Sequence, residues 1–200
     1  MIAVIDYGVG NLFSLSSSLA YLGLENKVTR SARELDEASH IILPGVGAFG
    51  DAMEKLASTG LVPELERQAE NGKPLLGICL GMQLLFEKSE ESPGVEGLGI
   101  LKGEILRIPA AEGLKIPHMG WNNIRFPNKG RLFAGVPEDA YVYFVHSYYL
   151  KAQDEKIVTA TTEYGTHIHA SVESGNLFAC QFHPEKSSHV GLQILKNFAK

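Results

Sequence analysis

Pro74-Leu75-Leu76-Gly77-Ile78-Cys79-Leu80-Gly81-Met82-Gln83-Leu84-Leu85-Phe86 is the stretch on which the fold turns. Leu75 to Ile78 is a short apolar run suited to a buried strand, Met82 to Glu87 reads as helix, and a tight turn joins them. Gly77 and Gly81 flank Cys79 as Gly-x-Cys-x-Gly, so small neighbours let the chain bend sharply and present Cys79 at the strand's carboxyl end. A thiol held there lies at a helix amino terminus. The helix dipole favours the thiolate, and the backbone N–H of Leu80 can face a negative oxygen beside the nucleophile. The same residues also suit a buried cysteine in a Gly-rich turn, a common place for a free thiol.

Upstream of this stretch, short β-branched runs alternate with helix-period segments. Strands are predicted over Ile2 to Asp6, Asn26 to Thr29 and Ile41 to Leu43, with helices over Leu12 to Leu22 and Phe49 to Asn71. Such alternation calls for parallel strands with crossover helices. Downstream, strand-like runs follow one another across turns: Ile100 to Ile108, Trp121 to Phe126, Tyr141 to Tyr149, Lys156 to Glu163, Ile168 to Glu173 and Leu177 to Phe182. A last helix is predicted over Val190 to Phe198, with Leu192, Leu195 and Phe198 on one face. The expectation is one α/β domain with a mixed, mostly parallel central sheet.

A nucleophilic thiol needs a base, and the base an orienting partner. Gln181-Phe182-His183-Pro184-Glu185 offers both. Pro184 biases His183 toward extended backbone, in which residues two apart project to one side, so Glu185 can reach the imidazole. A surface His-Glu pair at a strand end is the alternative. In the segment after the third strand, Gly45, Gly47 and Gly50 spell a dinucleotide fingerprint, but the next strand ends at Cys79 instead of at an acid that could hold a ribose. Gly8-Val9-Gly10 is weaker still, with Phe13 at the third glycine position. The competing reading makes Gly45-Val46-Gly47 a backbone donor loop beside the thiol. His167-x-His169 could set two imidazoles on one strand face, but no metal site is expected from it. Cys180 is read as a packed apolar residue.

Composition narrows the classes further. The 200 residues are 44% hydrophobic and 20% charged, with a net charge of −5 and no block of like charge, which argues against nucleic-acid or anionic-membrane binding. Two cysteines and an amino terminus without a signal-peptide pattern imply a reducing, cytoplasmic location.

Taken together and in this order, Pro44-Gly45-Val46-Gly47, Gly77-Ile78-Cys79-Leu80-Gly81-Met82-Gln83 and Gln181-Phe182-His183-Pro184-Glu185 resemble the class I, triad-type glutamine amidotransferases over the whole chain. The resemblance implies a flavodoxin-like domain over residues 1–200 that hydrolyses glutamine to glutamate and ammonia through a thioester on Cys79. It implies His183 and Glu185 as the other triad members, Val46 and Leu80 as oxyanion donors, and Gln83 and Glu91 as holders of the amino-acid group. Gly45, Gly47, Ser147 and Tyr148 would line the pocket, with no cofactor and no metal.

Asp6-Tyr7-Gly8-Val9-Gly10-Asn11-Leu12, Pro44 to Phe49, Pro117-His118-Met119-Gly120-Trp121-Asn122 and Tyr143 to Tyr149 resemble one branch of that family, the glutaminase subunits of imidazole glycerol phosphate synthase in histidine biosynthesis. This narrower resemblance implies a heterodimer with a (β/α)8-barrel cyclase subunit. The cyclase would receive ammonia through a tunnel and join it to an aminoimidazole carboxamide ribonucleotide. A domain used up in building the thiol site leaves no second domain to bind an ammonia acceptor, which also asks for a partner. The docking surface is expected on the triad side, with Asn11, Met119, Trp121, Asn122 and Lys186; a core position is the alternative for Trp121, the only tryptophan.

Overall fold

The computed structural model describes residues 1–200. Its first half runs β1 (Ile2–Ile5), α1 (Leu12–Tyr21), β2 (Asn26–Thr29), α2 (Ala32–Glu37), β3 (His40–Leu43), α3 (Phe49–Ser58), α4 (Val62–Glu70), β4 (Leu75–Ile78) and α5 (Leu80–Leu84). The second half runs β5 (Lys88–Ser89), β6 (Gly103–Arg107), β7 (His118–Asn123), β8 (Tyr141–His146), β9 (Tyr148–Ala152), β10 (Val158–Glu163), β11 (His167–Ser174), β12 (Leu177–Cys180) and α6 (Ser188–Phe198). The main sheet has the order β2-β1-β3-β4-β12-β11-β9-β6-β5, with β10 paired to β11. The segment from β2 to β12 is parallel, and β12-β11-β9-β6 is antiparallel. The mixed, mostly parallel α/β sheet is therefore as expected.

Strand pleating explains the two cores. β1 and β4 are buried along their whole length, as a parallel sheet covered on both faces requires. Ala3, Ile5 and Leu43 pack with Leu35, Leu56 and Leu65 of α2, α3 and α4 on one face. Alternate residues Val4, Ile42 and Leu76 meet Leu15 and Leu19 of α1 and Ile194, Leu195 and Phe198 of α6 on the other.

Several boundaries differ from expectation, among them the strand read over Trp121 to Phe126, which spans His118–Asn123, and that read over Ile100 to Ile108, which spans Gly103–Arg107. The helix predicted over Phe49 to Asn71 is two helices, because Gly60 takes a left-handed conformation at φ 72° and Pro63 lies in the first turn of the second. The short α2 went unread since Leu35 is its one buried residue and gives no period. α5 begins at Leu80, not Met82, and stops at Leu84. The run Tyr141 to Tyr149 is two strands, broken at Ser147, and the chain changes sheets there. β8 pairs antiparallel with β7 in a separate two-stranded sheet, whereas β9 joins the main sheet between β11 and β6. That switch carries Val145 to Tyr148 to the carboxyl edge of the parallel strands.

Candidate active site

Three adjacent parallel strands end at one edge: β3 leads into Pro44, β4 into Cys79 and β12 into Gln181. Ligands of open parallel sheets bind at such an edge. Cys79 has φ 54° and ψ −112°, a strained conformation for a residue with a Cβ, and it sits directly before the first turn of α5. The bend is held by close approach: a Cβ on Gly81 would lie 1.9 Å from the Leu43 carbonyl oxygen. Leu80 opens the helix, so its N–H has no acceptor within it.

His183 and Glu185 complete the arrangement. His183 Nδ1 and Glu185 Oε1 are 2.8 Å apart, with both side chains almost fully buried. Burial opposes charge on His183, but the Cys79 thiol and the Glu185 carboxylate outweigh it and raise the imidazole pKa to about 10. His183 Nε2 is buried with no hydrogen-bond partner, and Cys79 is the neighbour acting on it alongside Glu185. The alternative of a surface His-Glu pair is excluded by this burial. Cys79 is buried and packs on the second core, as a structural cysteine would, but it also lines an open cleft.

That cleft encloses about 390 Å³ and is lined by Val46, Gly47, Leu80, Gln83, Glu91 and Ser147 together with Cys79, His183, Tyr148 and their neighbours. Gln83 Nε2 donates to the Tyr148 carbonyl at 3.1 Å and to Gln181 Oε1 at 3.0 Å, which uses both amide hydrogens and leaves Oε1 to accept from a ligand. Glu91 Oε2 accepts from the Phe49 N–H at 2.8 Å, and Ser92 Oγ accepts from the Gly50 N–H at 2.9 Å. The amino terminus of α3 is thus occupied by a carboxylate and a hydroxyl, where a dinucleotide phosphate would have to bind, so Gly45, Gly47 and Gly50 do not form a dinucleotide site. Gly45 is buried beneath the loop and does not line the cleft; a Cβ there would lie 2.7 Å from both the Gly81 nitrogen and the Tyr7 hydroxyl.

Around the cleft, the expected docking residues divide. Met119 and Trp121 are exposed on β7, Trp121 at 52%, so the core alternative for the tryptophan is wrong. Lys186 is exposed, with Nζ 5.9 Å from the Tyr143 ring centre, and Asn11 precedes α1 half-buried. Asn122 instead turns inward: its Nδ2 faces His118 Nε2 at 3.3 Å and the Glu163 carbonyl at 3.0 Å. His167 pairs with Glu163, while His169 Nδ1 accepts from the Ala152 N–H, so the two imidazoles serve separate structural bonds. Cys180 is fully buried, with burial pushing its thiol up, in keeping with a packing role.

Several contributors went unread in the sequence. Gln181 bridges Gln83 and the thiol, its Nε2 lying 3.7 Å from Cys79 Sγ. Its place in the quoted pentapeptide was the available signal. Tyr7 donates from its hydroxyl to the Pro44 carbonyl at 2.7 Å, pinning the start of the Gly45 to Gly47 loop.

A buried thiol at a strand-to-helix elbow with a His-Glu pair beside it has the arrangement that cysteine-dependent acyl transfer requires. The profile of the glutamine amidotransferase class-I family matches residues 3–200. The imidazole glycerol phosphate synthase subunit HisH of Moorella thermoacetica is 55% identical over 100% of this chain and 94% of its own length, and that of Aquifex aeolicus is 50% identical over 98% and 95%. Among solved structures, a glutamine amidotransferase superposes with a TM-score of 0.77 at 21% identity over the full length of both chains, and PurLQS from Thermotoga maritima with 0.76 at 24% over 99% and 96%. The chain belongs to the class-I glutamine amidotransferases and, within them, to the family of imidazole glycerol phosphate synthase HisH subunits.

Proposed function

We propose that residues 1–200 form one amidotransferase domain that hydrolyses glutamine on Cys79 and passes the ammonia to a cyclase subunit in the synthase reaction of histidine biosynthesis. The observation that carries this is the convergence of Cys79, His183 and Glu185 at the carboxyl edge of β4 and β12. His183 takes the thiol proton and Sγ attacks the amide carbon of glutamine. The N–H groups of Leu80 and Val46 receive the oxyanion, and His183 then protonates the departing ammonia. Water activated by His183 hydrolyses the thioester. Glu185 keeps the imidazole in the tautomer whose Nε2 faces the sulfur. Gln83 Oε1 and the Glu91 carboxylate receive the substrate ammonium, and Gly47, Ser147 and Tyr148 border it.

The partner is a (β/α)8-barrel cyclase docked on the exposed Met119, Trp121 and Lys186 with Asn11, beside the mouth of the cleft. Val46 and Gly47 are exposed, while Tyr7 anchors Pro44 and Glu91 anchors Phe49, so reorientation of the oxyanion loop is confined to residues between two fixed ends. We place full donor presentation after partner and acceptor binding. No helix is long and apolar enough to cross a membrane, and a cytoplasmic setting fits a free, reduced thiol. The test is glutamate release from glutamine by the chain alone and with the cyclase and its ribonucleotide. Strong stimulation in the complete mixture is expected; equal turnover by the isolated chain overturns the gated loop, and turnover that survives alkylation of Cys79 overturns the thiol mechanism.

A further inference from the structure

We propose that His118 and His146 are positioning residues for the glutamine site, holding the Tyr148 carbonyl, and through it Gln83, by a one-way chain of hydrogen bonds that begins at Asn122. The proposal rests on the cleft being the glutamine site. Both histidines are buried, one on β7 and one on β8, and neither has a part in the proton transfers assigned to Cys79 and His183.

The direction of the chain follows from its ends. The Tyr148 carbonyl can only accept, so His146 Nδ1, 2.8 Å away, carries a hydrogen. Burial holds the His146 pKa down at about 3, so the ring is neutral and Nε2 is bare. His146 Nε2 therefore accepts from His118 Nδ1 at 3.0 Å. Burial likewise lowers His118 to about 4, leaving its Nε2 to accept from Asn122 Nδ2 at 3.3 Å. The Asn122 amide cannot be turned round, because its Oδ1 accepts from the Asn123 N–H at 2.9 Å and its Nδ2 also donates to the Glu163 carbonyl. Every ring nitrogen has one partner of the right sense. No tautomer but Nδ1–H on both rings satisfies the set.

At the inner end, the Tyr148 carbonyl accepts from His146 and from Gln83 Nε2 at 3.1 Å, which fills both of its lone pairs. Gln83 is held by that carbonyl and by Gln181, and its one remaining polar atom is the acceptor Oε1. Loss of the His146 bond frees the peptide at the point where the chain changes sheets, and Gln83 loses a fixed anchor. At the outer end, Asn122 shares β7 with exposed Met119 and Trp121, so the chain of bonds runs from beneath the proposed docking face to the substrate pocket.

Packing gives a competing account that experiment can separate. The His118 ring stacks between Phe144, at 4.7 Å between centres, and Tyr164, at 3.9 Å. His118→Phe keeps the stack and removes the donor. His118→Asn loses the stack but places an amide N–H near the position of Nδ1–H. Steady-state glutamine hydrolysis is measured for wild type and both variants, each assembled with the cyclase subunit and its acceptor. We expect His118→Phe to raise KM for glutamine about three- to tenfold with kcat within about twofold, the scale of one lost hydrogen bond, and His118→Asn to lie nearer wild type. Nitrogen-15 NMR of the wild-type imidazoles should show both rings as neutral Nδ1–H tautomers. A KM within twofold of wild type for His118→Phe, a loss confined to kcat, a Phe variant better than the Asn variant, or an Nε2–H tautomer at His146 each overturns the positioning role. A wild-type assembly that releases no glutamate overturns the glutamine reading, a Cys79→Ser assembly as active as wild type overturns the cleft as the glutamine site, and either removes the positioning roles.

Discussion

Two buried histidine sites border one cleft and are tuned in opposite directions. His183 has a carboxylate at 2.8 Å and a thiol beside it, and its pKa rises to about 10. His146 and His118 are bonded to a carbonyl, to each other and to an amide, with no carboxylate in the chain, and their values fall to about 3 and 4. Burial alone favours the neutral ring at all three positions. The difference is the ionic partner, which favours the charged ring at His183 and leaves the neutral ring favoured at the other two.

Removing the nucleophile breaks the contrast most severely. Cys79→Ala should lower glutamine turnover by at least about 10⁴-fold in the complete synthase, since no other group can form the thioester. Retained glutamate release would show that the thiol is dispensable. Glu185→Gln keeps the thiol and the imidazole but removes the charge that orients and supports His183, and kcat should fall about 100-fold, less than for Cys79→Ala. A loss as deep as that of the cysteine variant would make Glu185 more than a supporting group.

Trp121→Ala removes an exposed anchor while leaving the inward face of β7 intact, and the cyclase should bind about tenfold or more weakly by calorimetry. Unchanged affinity would move the docking surface elsewhere. The smallest effect is on stability against pH. A folded-state pKa above the unfolded value near 6.5 means that His183 contributes fully below about pH 6.5 and loses that contribution as pH rises toward 10. His118 and His146 have depressed values, so their contribution is complete above about pH 6.5 and is lost as pH falls toward 4 and 3. Thermal melts should therefore show His118→Phe flattening the acid limb and Glu185→Gln flattening the alkaline limb; a variant that flattens the other limb would reverse the assignment of charge.

Much of the candidate site could be read from local pattern. Gly77 and Gly81 around Cys79 mark an elbow because only glycine permits the contact with Leu43; the His183–Glu185 pairing was legible too, but it is made across the short 3-10 turn Pro184–Lys186 that follows an extended His183, not along extended backbone. These are short-range constraints, expressed within a few residues. The break at Gly60 was equally local, and Pro63 should have exposed it. By contrast, Tyr141 to Tyr149 reads as one apolar strand, and nothing in its alternation reveals that Ser147 divides two sheets.

The sequence by itself therefore determined the parallel α/β frame, the elbow and the His-Glu pair, because each depends on period, turn chemistry and backbone freedom over short spans. Tertiary structure alone decided that the carboxyl ends of β3, β4 and β12 meet, that Gln181 bridges Gln83 and the thiol, and that Asn122 faces inward to His118 while Trp121 faces out. It also decided the opposite pKa shifts of His183 and of the His118–His146 pair. Those outcomes depend on which distant groups share a buried site, since removing water makes every charge and hydrogen bond answer to its immediate neighbours.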